Sequence, residues 1–221
     1  MKETGVLFTP ENIRAIRDKT KWQTRRVMNP QPYFENNGQL WWKWSKYRGC
    51  SCVEPIGSVS DEWFDHCPQG RVGDKLYVKE GVIVTAPAWT AITGKPDGTL
   101  VGYYMDGRRV GNAWEKRLTA MFMAKRYART WLEITDVRVE RVQQLSHEDA
   151  VAEGAFFTDY GLNRFHQQQD GWSMVPTTSH EQCLGSSKFA YANLWNHLNG
   201  KKHPWASNPW CWCLSFKVVK P

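Results

Sequence analysis

No stretch of this chain approaches the roughly 20 consecutive apolar residues that a membrane-spanning helix needs, so none is expected to cross a bilayer. The opening MKETGVLFTPEN lacks the long apolar core of a signal peptide, and a cytoplasmic protein is expected. Internal repeats and low-complexity tracts are missing, which excludes solenoids and tandem arrays. Acidic residues are outnumbered: 22 Asp+Glu stand against 29 Lys+Arg, a formal net charge of +7. That balance favours an anionic partner such as nucleic acid, though alone it is a loose signal. Cysteine is limited to Cys50, Cys52, Cys67, Cys183, Cys211 and Cys213. In a long chain with no export signal these are expected as reduced thiols. Cys50, Cys52, His66 and Cys67 form C-x-C and H-C pairs, not the C-x(2–4)-C spacing of zinc sites. No metal is expected there, and no cofactor is called for.

What is abundant is tryptophan, 13 residues within an aromatic content of 14%. Large aromatics either fill a core or offer faces on which bases stack, and the core takes most of them in an ordinary domain. With 221 residues, 41% apolar and 23% charged, the chain can bury a substantial core. A single domain spanning 1–221 is expected, with insertions around 33–70, 85–118 and 155–186.

Gly5–Phe8 is a short apolar strand candidate. Thr9-Pro10-Glu11 then opens a helix with a capping hydroxyl, a proline at the first helical position and an acid in the first turn. Ile13 and Ile16 share its buried face, and it is expected to stop near Lys19 to Lys21. Thr24–Met28 reads as extended, ended by Pro30 and Pro32. Residues 33–70 lack periodicity and read as a long loop. Lys75–Val84 reads as one strand, with Leu76, Val78 and Glu80 alternating against Tyr77, Lys79 and Gly81. Leu100–Met105 is a further strand candidate, closed by a turn at Asp106-Gly107.

Thr130–Val142 carries the clearest alternation, with a bulge expected at Asp136. Ser146 caps a helix that ends at Gly154. Residues 155–186 read as loop. Ser187 caps a last helix whose apolar side is Phe189, Leu194, Trp195 and Leu198. Trp210–Val219 closes the chain as a strand with Cys211 and Cys213 on one face as small core residues. Several strands, few short helices and long loops predict an α+β protein, a small mixed β-barrel or curled sheet with decorations.

The densest polar cluster is Lys19-Thr20-Lys21-Trp22-Gln23-Thr24-Arg25-Arg26. Four cations around a tryptophan suit phosphate contact and base stacking. The plainer alternative is a solvated helix end whose cations complement the helix dipole. On a strand, Thr24 and Arg26 share a face and Arg25 points the other way. Glu153, at the C-terminal end of its helix, sits where the dipole disfavours a carboxylate, a placement that can mark a functional residue.

An ordered series of motifs runs through these elements. K-x-x-T-x-R (Lys21, Thr24, Arg26) is followed by G-D-x-L-x-V-x-E (Gly73, Asp74, Leu76, Val78, Glu80), the strand LEITDVRVERVQQLS, the helix EDAVAEG and a final NPW…FKVV. This set resembles the ASCH family, in the larger form typical of phage and prophage genes. The resemblance implies a PUA-like mixed β-barrel with short flanking helices, long inserted loops and a cleft beside the first helix. It implies binding of RNA or a modified nucleoside inside a bacterial host cell. Some small members are amidohydrolases that deacylate the exocyclic amine of acylated cytidine, using a lysine, a threonine three residues on and a glutamate after the long strand. Here those positions fall on Lys21, Thr24 and Glu153. Trp22 stands where a threonine is common.

The leading expectation is therefore a basic aromatic cleft that binds RNA or a modified nucleobase through Lys19, Lys21, Trp22, Arg25, Arg26 and Lys79. The first alternative is deacylation of N-acyl cytidines by Lys21, Thr24 and Glu153. Two assignments stay open for that reaction: burial neutralises Lys21 so that it deprotonates Thr24, or Lys21 stays charged and Glu153 is the base. A third class is an accessory factor that binds a host protein, with Leu40–Trp44 as an anchor patch.

Overall fold

The computed structural model describes residues 1–34, 40–42, 52–54, 64, 66–85 and 99–220. In chain order its elements begin with β1 (Glu3–Leu7), α1 (Pro10–Arg17), β2 (Gln23–Val27), β3 (Tyr33–Phe34), β4 (Leu40–Trp42) and β5 (Cys52–Glu54). Next come β6 (Lys75–Lys79), β7 (Val82–Thr85), β8 (Leu100–Tyr103), β9 (Glu115–Leu118) and β10 (Trp131–Arg141). The chain ends with α2 (His147–Ala152), β11 (Phe156–Leu162), β12 (Gln168–Ser173), α3 (Ser187–Asn199) and β13 (Trp210–Val219). The protein is thus a mostly-strand α+β chain with three α-helices among the described residues. None of these helices is long and apolar enough to cross a membrane.

The principal sheet has the order β1-β6-β10-β13-β2, parallel between β1 and β6 and antiparallel elsewhere. It is open, with β1 and β2 as its two edges and α1 as the connection between them. Its curl nevertheless brings those edges within reach of one side chain: Arg26 on β2 donates from Nη2 to the carbonyl of Leu7 on β1 at 2.7 Å. The hollow beside α1 is a consequence of that curl.

Alternation along β13 separates two cores. Trp210, Trp212, Leu214 and Phe216 pack with Val6, Ile13, Ile16, Leu76, Val78, Leu132 and Ile134. Cys211 and Cys213, on the other face, pack with Val142, Ala150, Tyr191 and Trp195 beneath α2 and α3. Both thiols are free, and burial pushes the Cys211 thiol up to about 12. The register of β10 against β13 shifts between Ile134 and Asp136, the expected bulge.

Several local readings need correction. Residues 33–70 and 155–186 are not simply loop: they contain the sheet β3-β4-β5 and the hairpin β11-β12. The hairpin strand FFTDYGL is largely exposed, so it lacks the buried face that alternation reports. The stretch from Lys75 onward is two strands, because Gly81 presses against the Tyr104 ring, where a Cβ would lie 2.5 Å from Cδ2. Helix α1 stops at Arg17, sooner than expected, with Lys19 in the left-handed region at φ 59°. The α3 cap is Ser186, whose hydroxyl accepts from the Phe189 amide, and not Ser187. Its buried face is Ala190, Tyr191 and Trp195, whereas Phe189 and Leu198 are exposed. Within Leu40–Trp44, Trp42 is core: it is 2% exposed, donates from Nε1 to the Pro30 carbonyl and meets Trp212 edge-on. Trp42 is therefore no part of an anchor patch, and residues 43 and 44 lie outside the described residues.

Glu80 ties the layers together. It is 1% exposed at the end of β6 and receives Arg17 Nη2 at 2.6 Å from α1. Arg129, just before β10, adds Nε at 3.2 Å and Nη2 at 3.0 Å. Removing one member of a buried ion pair leaves the other charges uncompensated. Glu80→Ala is therefore expected to lower unfolding stability by about 3 kcal/mol in urea denaturation.

Candidate functional site

Lys21 and Glu153 are 132 residues apart in sequence and meet in the hollow beside α1. Local geometry prepares both. The amides of Thr20 and Lys21 donate back to the Ala15 carbonyl, folding the α1–β2 connection tightly under the helix. The Trp22 amide donates to Ala152 at the end of α2, and the Trp22 carbonyl accepts from Phe216 on β13. Glu153 is the C-cap of α2, and Gly154 follows with φ 103°. A Cβ on Gly154 would lie 3.6 Å from the Lys21 Cβ, so the chain reversal and the lysine are close neighbours.

The Lys21 ammonium donates to the Glu153 carboxylate (Oε2, 2.6 Å) and to the Glu153 carbonyl (2.7 Å). One cation thus caps the negative end of α2 and neutralises the carboxylate that the helix dipole disfavours. Both residues are 3% exposed. Burial pushes the Lys21 pKa below its ordinary value; the Glu153 charge and hydrogen bond oppose that shift, and Arg26 and Arg25 reinforce it. The Tyr191 hydroxyl on α3 donates to the other carboxylate oxygen at 3.4 Å. Burial, reinforced by Glu153, carries that phenol well above the usual tyrosine range.

These groups wall a cavity of about 540 Å³, with Phe8, Asn12, Thr24, Arg26 and Trp195 among its other lining residues. Lys21, Thr24 and Glu153 therefore face one hollow. Among the described residues the Thr24 hydroxyl has no hydrogen-bond partner, so no bond joins it to Lys21.

The remaining expected binding residues divide. Arg25 projects to the opposite face of β2 from Thr24 and Arg26, pairing there with acids. Its Nη2 lies 3.0 Å from Glu140 and 2.7 Å from Asp149, and its Nη1 lies 3.7 Å from Glu153. Buried and held by three carboxylates, it is an internal hub and does not present itself to a phosphate. Lys79 lines neither this cavity nor the one described next, and donates to the Met121 carbonyl at 2.5 Å. Trp22, 46% exposed, stands with Lys19 and Lys217 at a separate cavity of about 300 Å³ that shares only Lys21 with the first. Cys50 lies outside the described residues. Cys67 is buried, and its thiol meets Gln69 Oε1 at 3.4 Å.

Sequence reasoning missed Tyr191, Asn12 and the acids Glu140 and Asp149. The spacing of Ser187, Tyr191 and Trp195 at i, i+4 and i+8 was the available signal for the inner face of α3. Nothing local distinguishes Glu140 from other strand acids.

Asp149 supplies a pH test. Burial would raise its carboxyl, but Arg25 and Arg138 outweigh burial and hold it at about 2. Its folded pKa lies below the unfolded value of about 3.9. The ionised form therefore stabilises the fold above about pH 4, and that contribution disappears as pH falls through about 2. Acid unfolding followed by circular dichroism is expected to show a shallower loss of stability between pH 4 and pH 2 in Asp149→Asn than in the native protein. Compared with protein-family models, curated proteins and solved structures, the chain finds no match.

Proposed function

We propose that this chain is an ASCH-type domain whose principal sheet curls in the PUA-like manner, and that its cavity binds a single nucleobase or modified nucleoside of the kind RNA carries. The observation that supports this reading is a buried lysine–glutamate pair in the wall of a small cavity. Burying two charges is costly, and apolar residues of similar volume would stabilise the same place as well or better. A volume of about 540 Å³ lies within the range of small-molecule sites. Its lining combines the aromatic residues Phe8, Tyr191 and Trp195 with the amides of Asn12 and Asn199, a composition suited to a base. Internal pairing of Lys21 and Arg25 favours one bound base over a long strand tracked along its phosphates. Calorimetric titration with cytidine and N-acyl cytidines is expected to show one-to-one binding. Its log K is expected to fall with log salt at a slope of about −1 or shallower. A short RNA that binds with a much steeper slope overturns the single-base reading.

Deacylation is the second reading, and the unpartnered Thr24 hydroxyl favours it. In this reaction Thr24 Oγ1 attacks the acyl carbon and the bond to the exocyclic nitrogen breaks. The released amine takes a proton, and water then cleaves the acyl ester. Lys21, with its pKa lowered by burial, is the base that accepts the Thr24 proton, and Glu153 orients it. Cationic Arg26 stands in the same wall as an oxyanion donor. With N-acyl cytidine as substrate, Thr24→Ala is expected to reduce kcat by about 100-fold or more. The rate is expected to rise with pH along a limb set by Lys21, below the ordinary lysine value of about 10.4. Full turnover by Thr24→Ala rejects the nucleophile assignment and leaves binding as the function.

A further inference from the structure

Among the described residues, each cation in the wall of the 540 Å³ cavity has a carboxylate counterpart except Arg26. Lys21 is matched by Glu153, and Arg25 by Glu140, Asp149 and Glu153. Among the described residues Arg26 makes one hydrogen bond, from Nη2 to the Leu7 carbonyl, and its guanidinium carbon lies 4.8 Å from the centre of the Phe8 ring. Its Nε is shut off from solvent and has no hydrogen-bond partner. The contacts it has hold the side chain in place, but they do not neutralise it.

The consequences are electrostatic. Burial works against the Arg26 cation and lowers its pKa, with Glu153 and Tyr191 only partly opposing this. Glu153 is already engaged by Lys21, Tyr191 and Arg25. A guanidinium is a planar fork that matches the paired oxygens of a phosphate, and its charge-assisted hydrogen bonds strengthen in a partly desolvated site. Asn12, in the first turn of α1, and Thr9, its cap, stand in the same wall and add polar groups to it.

We infer that Arg26 is the anion-recognition residue of this cavity and that the ligand carries a phosphate monoester. Taken with the nucleobase reading above, on which only the identity of the base rests, the ligand is a nucleotide and not a bare nucleoside. The backbone bond to Leu7 fixes the guanidinium between the two edges of the sheet, so the phosphate sits at the seam of β1 and β2. The base then lies toward Tyr191 and Trp195.

Isothermal titration of the full chain at constant low salt tests this with three probes: inorganic phosphate, cytidine and cytidine 5′-monophosphate. The monophosphate is expected to bind about tenfold or more tightly than cytidine, as one charge-assisted hydrogen-bonded pair implies. Inorganic phosphate is expected to compete with the monophosphate. Arg26→Gln is expected to erase the difference between the two ligands, and Arg26→Lys to restore part of it. Equal affinities for the two ligands in the native protein overturn the inference without any variant. A preference for the monophosphate that survives Arg26→Gln overturns it as well. If neither nucleoside form binds while inorganic phosphate binds the native protein and not Arg26→Gln, the anion site stands and the nucleobase reading falls. No binding of any probe overturns both.

Discussion

The contact between the Lys21 ammonium and Glu153 is the constraint on which the rest of the site depends. It joins the loop after α1 to the end of α2 through a carboxylate and a carbonyl of the same residue. Because both partners are almost wholly buried, neither tolerates loss of the other. That rigidity fixes the start of β2, since the Trp22 backbone is held at once by Ala152 and Phe216. From that anchored start, alternation along the strand sends Thr24 and Arg26 one way and Arg25 the other. Arg25 belongs to the internal charge hub and also lines the cavity with Thr24 and Arg26, so one five-residue strand serves both.

Two ion-pair networks divide the work of holding this arrangement. Glu80, with Arg17 and Arg129, locks α1 against β6 and the start of β10. Arg25, with Glu140, Asp149 and Glu153, locks β2 against β10 and α2. Arg138 extends the second network to Asp136, Glu140 and Asp149. Arg25 is enclosed by acids in this way, so the basic cluster read at β2 does not form an open cationic face there. Arg26 differs because, among the described residues, it shares the cavity wall with Glu153 but forms no ion pair with it.

The local elements were largely legible where a short-range rule applied. The Thr9 cap with Pro10, the Ser146 cap, the bulge on β10 and the split of Trp210 and Trp212 from Cys211 and Cys213 all follow from nearest-neighbour geometry. Legibility failed where exposure or close approach mattered. The β11-β12 hairpin is too exposed to show a period, and the break at Gly81 depends on the Tyr104 ring, 23 residues away in sequence. The inner face of α3 does not follow from apolar spacing, because Phe189 and Leu198 are apolar yet exposed, while Tyr191 turns inward to Glu153.

By itself the order of residues determined that Thr24 and Arg26 would share one side of an extended segment just past Lys21, because side chains alternate along extended backbone. It also placed Glu153 at an unfavourable helix end. Only the tertiary structure decided that Lys21 would meet that carboxylate, that Arg25 would be enclosed by acids from β10 and α2, and that Arg26 would be left without a counter-charge. The reason is range: alternation and capping act over a few residues. Pairing of charges instead depends on which surfaces the curl of the sheet brings together across more than a hundred.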